Sequence, residues 1–159
     1  MQEPKFIQFH EHLYSRGHTK RFDTQRMLTA LREMDIRLIV NLAPSVDPLL
    51  QAAARMTGLE YWHAPLSDGI NVDPEQILPI VNRVVSFIKD GCSVLVHCNA
   101  GRNRTGLIVV LVLAEVTQYP IGDIIANARN IRPGLLANET FEHFAFRYES
   151  DTYNGGLQQ

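Results

Sequence analysis

The stretch from Ser93 to Ala114 constrains the fold more than any other part of the chain. Ser93-Val94-Leu95-Val96-His97 runs without polar and apolar alternation, the mark of a strand buried on both faces of a parallel sheet. Cys98-Asn99-Ala100-Gly101-Arg102-Asn103-Arg104 then breaks the apolar pattern. From Thr105 onward a nearly unbroken apolar run, Leu107 to Ala114, reads as a helix enclosed almost all round. A doubly buried strand, a short glycine-containing loop and an enclosed helix belong to a sheet covered on both faces.

The rest of the chain repeats this alternation. Residues 5–9 read as a short first strand, and Met27, Leu28, Leu31 and Met34 mark one face of a helix. Residues 38–42 read as a buried strand. After the turn residues Pro44, Ser45, Asp47 and Pro48, an Ala-rich helix runs to Thr57 with Gly58 as its stop, and residues 59–63 form another strand. Ile77, Ile80, Val81, Val84, Val85 and Ile88 share one helical face that ends at Gly91. Two more helices carry Ile121, Ile124, Ile125 and Ala128, then Phe141, Phe144, Ala145 and Tyr148, the last with Asn138 as its cap. The expected fold is α/β in three layers, a mostly parallel central sheet of about four to five strands with helices on both faces. It forms one domain over residues 1–149, followed by a flexible polar tail at 150–159.

Size and charge narrow the function. At 159 residues the chain suits one domain and is too short for a (β/α)₈ barrel, which needs roughly 200 residues. A net charge of −2 gives no basic field that would demand nucleic acid or an anionic membrane, so any anion must be held by local groups. No apolar run reaches the roughly 18 residues of a membrane span, and the Met1 end lacks a signal-peptide pattern. Cys92 and Cys98 are the only cysteines. The strand between them would hold them on the order of 20 Å apart, so they are expected to be free thiols, as in the cytoplasm.

The chemistry is concentrated where residues 93–97 give way to the loop. At the carboxyl end of a parallel strand, loop N–H groups turn inward and the next helix aims its positive dipole end at the same point. Cys98 opens this loop and Arg104 closes it. A helix N-terminus and a guanidinium favour thiolate over thiol, so Cys98 is a candidate nucleophile. Arg104 can offer two parallel N–H bonds to a tetrahedral oxyanion, and Gly101 lets the backbone come close to it. Gly106 is followed by Leu107 where a nucleotide-binding P-loop has Lys and Ser/Thr, so use of ATP is not implied. His10-Glu11-His12 has the look of a metal-binding start, but without later ligands it reads as a solvated turn. No metal or other cofactor is expected. Asp47 and Asp73 read as helix caps or turn residues.

The loop closely resembles the Cys-x5-Arg-Ser/Thr signature of the protein tyrosine phosphatase superfamily, here as His97, Cys98, Arg104, Thr105 and Gly106. Pro65-Leu66-Ser67-Asp68-Gly69, Asn41-Leu42, Arg132-Pro133 and Asn138 are similar to the small dual-specificity branch. Ala137 stands where many relatives have Pro. The resemblance implies the cysteine-phosphatase fold, with Cys98 as nucleophile, Asp68 as general acid and then base, and the Thr105 hydroxyl bonded to the Cys98 sulfur. It implies phosphoryl binding by the backbone of Asn99, Ala100, Gly101, Arg102, Asn103 and Arg104 together with the Arg104 guanidinium, and a supporting role for His97 behind the loop. The implied activity is hydrolysis of phosphotyrosine and phosphoserine or phosphothreonine in proteins. Two residues keep the substrate open. Arg102 resembles relatives acting on phosphoinositides, and Asn103 resembles relatives that are RNA 5′-triphosphatases. A catalytically silent phosphate-binding module is a further reading, disfavoured because nucleophile, Arg, hydroxyl and acid occur together.

Overall fold

A computed structural model describes residues 5–16, 24–67, 72–99 and 101–158. Its centre is the strand that sequence marks as doubly buried, Ser93–His97, all of whose residues are buried. In chain order the strands are β1 (Phe6–His10), β2 (Leu13–Arg16), β3 (Ile36–Asn41), β4 (Glu60–His63) and β5 (Ser93–His97). Across the sheet they lie in the order β1-β2-β5-β3-β4. β5 pairs in parallel with β2 and β3, and β3 with β4, while β1 is antiparallel to β2. The sheet is therefore parallel except for one edge.

Among the described residues six helices cover it: α1 (Thr24–Glu33), α2 (Pro48–Thr57), α3 (Pro74–Lys89), α4 (Arg104–Thr117), α5 (Ile121–Ile131) and α6 (Glu139–Gln158). Successive strand residues point to opposite faces, and two cores result. Ile39 and Leu95 meet Met27, Leu31, Leu50 and Ala53 of α1 and α2 on one face. Leu38, Val40, Val94 and Val96 meet α3 to α6 on the other. α4 is the hub of that second core, buried without interruption from Arg104 to Leu113. This is why its sequence shows no polar stripe.

Local chemistry starts and stops the helices where expected. Asp47 caps α2 by accepting from the Leu50 amide at 3.1 Å, with Pro48 in the first helical position, and Gly58 ends the helix at φ 71°. Asp73 caps α3 through the Glu75 amide at 3.0 Å. Asn138 accepts from the amides of Thr140 and Phe141 at 2.9 and 3.2 Å.

One feature differs from the sequence reading. Leu13–Arg16 is a strand, although Leu-Tyr-Ser-Arg holds a single aliphatic residue. Leu13 and Ser15 face inward beside β5, and Glu11-His12, following His10 at the end of β1, forms the connection of the β1-β2 hairpin. The backbone of α6 runs as helix to Gln158.

Asp47 also forms an ion pair with Arg16, each side chain 21% exposed. Asp47→Ala removes a cap and the ion pair that Asp47 makes with Arg16. We expect it to destabilise the fold by about 1–3 kcal/mol, measured by urea unfolding, with Asp47→Asn recovering the capping share.

Candidate active site

The parallel register brings the carboxyl ends of β3, β4 and β5 to one edge. The Leu42 amide donates to the His97 carbonyl at 2.8 Å, and the Leu66 amide to the Leu42 carbonyl at 3.0 Å. The Ala64 amide donates to the Asn41 carbonyl at 2.9 Å. The chain leaving β4 is thereby pinned, with Ala64 and Leu66 buried, on the edge where β5 ends. Asp68, the acid implied by the resemblance, follows this pinned segment but lies outside the described residues, as does Ala100.

Cys98 follows β5 directly and is half-buried. Its Sγ accepts from the Thr105 hydroxyl at 3.0 Å and from the Gly101 amide at 3.3 Å. Two donors converging on one sulfur stabilise negative charge there. The loop closes tightly enough for this because Gly101 adopts φ 69°, where a Cβ would also come within 3.3 Å of the Arg16 carbonyl. Thr105 is fully buried in the first turn of α4.

Arg104, the first residue of α4, is only 7% exposed. Among the described residues no carboxylate pairs with it. A buried guanidinium without an anionic partner is costly, and here the helix dipole adds positive potential at the same place. The chemical consequence is positive potential that no described carboxylate neutralises, at the end of the loop that Cys98 opens.

His97 lies behind the loop, 4% exposed. Burial pushes its pKa down to about 4. Arg16 and His63 act in the same direction, opposed by Asp47 and by a hydrogen bond with the Cys98 backbone. The ring is therefore neutral near pH 7, and its Nε2 is buried with no hydrogen-bond partner among the described residues. The ring is hydrogen-bonded with the Cys98 backbone at the end of β5.

Sequence reasoning missed most of the polar floor. Asn41 is fully buried; its Nδ2 donates to the Ser45 carbonyl and the Tyr61 hydroxyl at 2.9 and 2.8 Å, and its Oδ1 accepts from the Ala43 amide at 2.9 Å. The Tyr61 hydroxyl in turn accepts from the Asp47 amide at 3.0 Å. This chain joins β3, β4 and the start of α2, and the Arg16–Asp47 pair ties it to β2. The tyrosine in the strand at residues 59–63 and the aspartate before a proline were the available signals.

Cys98, Gly101, Arg104 and Thr105 are thus brought together with His97 behind them. Asn99 and Arg102 stand at the exposed rim. Asn103 is half-buried, and its Oδ1 accepts from the Asn138 amide at 3.0 Å. Among the described residues no group of three His, Cys, Asp or Glu side chains could hold a metal ion, and no helix is long and apolar enough to cross a membrane.

A parallel sheet ending in a cysteine-to-arginine loop on a helix N-terminus defines the architecture of the cysteine-dependent phosphatases. Residues 21–151 match the family described as dual specificity phosphatase, catalytic domain, and the chain belongs to that family. Human dual specificity protein phosphatase 12 is 30% identical over 138 residues, covering 81% of this chain and 39% of the relative. Human dual specificity protein phosphatase 6 is 30% identical over 118 residues, covering 72% and 29%. This chain therefore spans well under half the length of these curated relatives. A mouse dual specificity phosphatase solved as a zinc tungstate complex superposes with TM-score 0.80 at 19% identity, covering 98% of this chain and 93% of that one. Kinase associated phosphatase gives 0.76 at 16% identity, covering 94% of each.

The depressed pKa of His97 sets a sign for acid stability. The unfolded chain takes up this proton near pH 6.5 and the folded chain near pH 4, so stability contributed above pH 6.5 is lost as pH falls through that window. We expect a loss approaching about 1.4 kcal/mol per pH unit below pH 6.5, read by urea unfolding across pH, with a shallower slope in His97→Gln.

Proposed function

We propose that this chain is a cysteine-dependent phosphatase that hydrolyses phosphate monoesters on protein tyrosine, serine and threonine through a phosphocysteine intermediate. One observation carries the reading: a half-buried sulfur holding two hydrogen-bond donors next to a buried arginine that no described carboxylate neutralises. The Cys98 thiolate attacks phosphorus in line. A sulfur–phosphorus bond forms as the ester phosphorus–oxygen bond breaks, and Asp68, entering as the carboxylic acid, protonates the departing oxygen. Asp68, now a carboxylate, takes a proton from the water that attacks phosphorus. The sulfur–phosphorus bond then breaks, inorganic phosphate leaves, and the Thr105 hydroxyl receives the returning thiolate.

Charge on the three equatorial oxygens is met by the Arg104 fork and by amides of residues 99–104. Residues 1–149 act as one catalytic domain, and the two free thiols suit a cytoplasmic setting. Membership of the dual specificity family supports phosphorylated protein side chains as the substrate class. The features suggesting other substrates are weaker. The Asn103 side chain is engaged with Asn138, and the net charge of −2 supplies no surface field for RNA or anionic lipid.

Metal-free hydrolysis of an aryl phosphate tests the mechanism. Cys98→Ser is expected to abolish turnover. Asp68→Asn is expected to slow phosphopeptide hydrolysis by about 10²–10⁴-fold, and less for substrates with good leaving groups. Substantial turnover by Cys98→Ser refutes the nucleophile. Faster hydrolysis of phosphoinositides or 5′-triphosphate RNA than of phosphopeptides refutes the substrate class.

A further inference from the structure

The α5–α6 connection touches the anion loop at three consecutive residues. The Arg132 Nε lies 3.5 Å from the Gly101 carbonyl, the Leu136 amide donates to the Arg102 carbonyl at 2.8 Å, and the Asn138 amide donates to Asn103 Oδ1 at 3.0 Å. In a trans peptide the carbonyl and the N–H point in opposite directions. Holding the Gly101 and Arg102 carbonyls outward therefore aims the amides of Arg102 and Asn103 inward, to the side where an oxyanion sits.

The connection is itself held hard in place. Leu135 and Leu136 are fully buried, and a Cβ on Gly106 would come within 3.0 Å of both the Leu135 side chain and the Leu136 amide nitrogen. Leu136 adopts φ 57°, a left-handed conformation that a leucine holds only where its surroundings impose it. Arg129 clamps the far side, donating to the Leu135 and Leu136 carbonyls at 3.0 and 2.9 Å while pairing with Glu142.

Asn103 occupies the N-cap position of α4, and its carbonyl accepts the first intrahelical bond, from Leu107 at 2.9 Å. An asparagine there ordinarily turns its side chain onto the first free amides of its own helix. This one makes no such bond: its backbone is already helical, at φ −92° and ψ −62°, and its Oδ1 accepts from the Asn138 amide instead.

We propose that Asn103 is a positioning residue for oxyanion binding: held by the Asn138 amide, its side chain fixes the preceding loop peptides with their amides inward. The proposal rests on the phosphatase reading of the same site but is read by binding alone. Calorimetric titration with vanadate on the full chain, with thermal unfolding beside it, is the test. Asn103→Ala removes the link to Asn138. Asn103→Ser is too short to span it. Both are expected to weaken vanadate binding by about ten-fold or more while Tm stays well above the titration temperature. A merely structural asparagine would make affinity follow Tm.

Vanadate affinity within about three-fold of wild type in both variants overturns the proposal, as does loss of affinity in Asn103→Ala with full recovery in Asn103→Ser. A wild-type chain that binds vanadate yet hydrolyses no phosphate ester overturns the phosphatase reading instead, and the two variants still decide the role of Asn103.

Discussion

Placing a guanidinium at 7% exposure with no described carboxylate opposite it is the constraint around which this fold is organised. Such a group is tolerated only if the surrounding structure holds it rigidly and an anion can reach it. Rigidity comes from α4, whose first turn carries Arg104 and whose next residues are sealed inside the larger core. Access comes from the edge of the sheet, where the parallel strands end and the loop opens. The sulfur, the hydroxyl and the loop amides are arranged about this one charge.

Much of this was legible in advance because the relevant signals are local. An apolar strand without alternation marks a strand buried on both faces, and a helix without a polar stripe marks the hub of a core. Cysteine and arginine at either end of the loop between them fix where reactive groups emerge. The stripe from Ile77 to Ile88 and the caps at Asp47, Asp73 and Asn138 follow from the same short-range rules.

What escaped the reading is non-local. Leu13–Arg16 has almost no strand character of its own and becomes a strand because β5 offers a parallel edge to it. The floor under Cys98 joins Arg16, Asn41, Asp47 and Tyr61, residues from four separate segments whose meeting only the folded chain displays. Asn103 shows the same limit. Its position suggested a substrate preference by resemblance, whereas its oxygen is spent on an amide thirty-five residues away.

The hairpin of β1 and β2 carries a practical consequence. Similarity to the catalytic-domain family begins at residue 21, after the hairpin has ended. Yet the Arg16 carbonyl backs onto the turn at Gly101, and the Arg16 side chain balances Asp47 beneath the buried imidazole. A boundary drawn at residue 21 would cut away the strand that pairs with β5 and the carbonyl that backs the turn after Cys98.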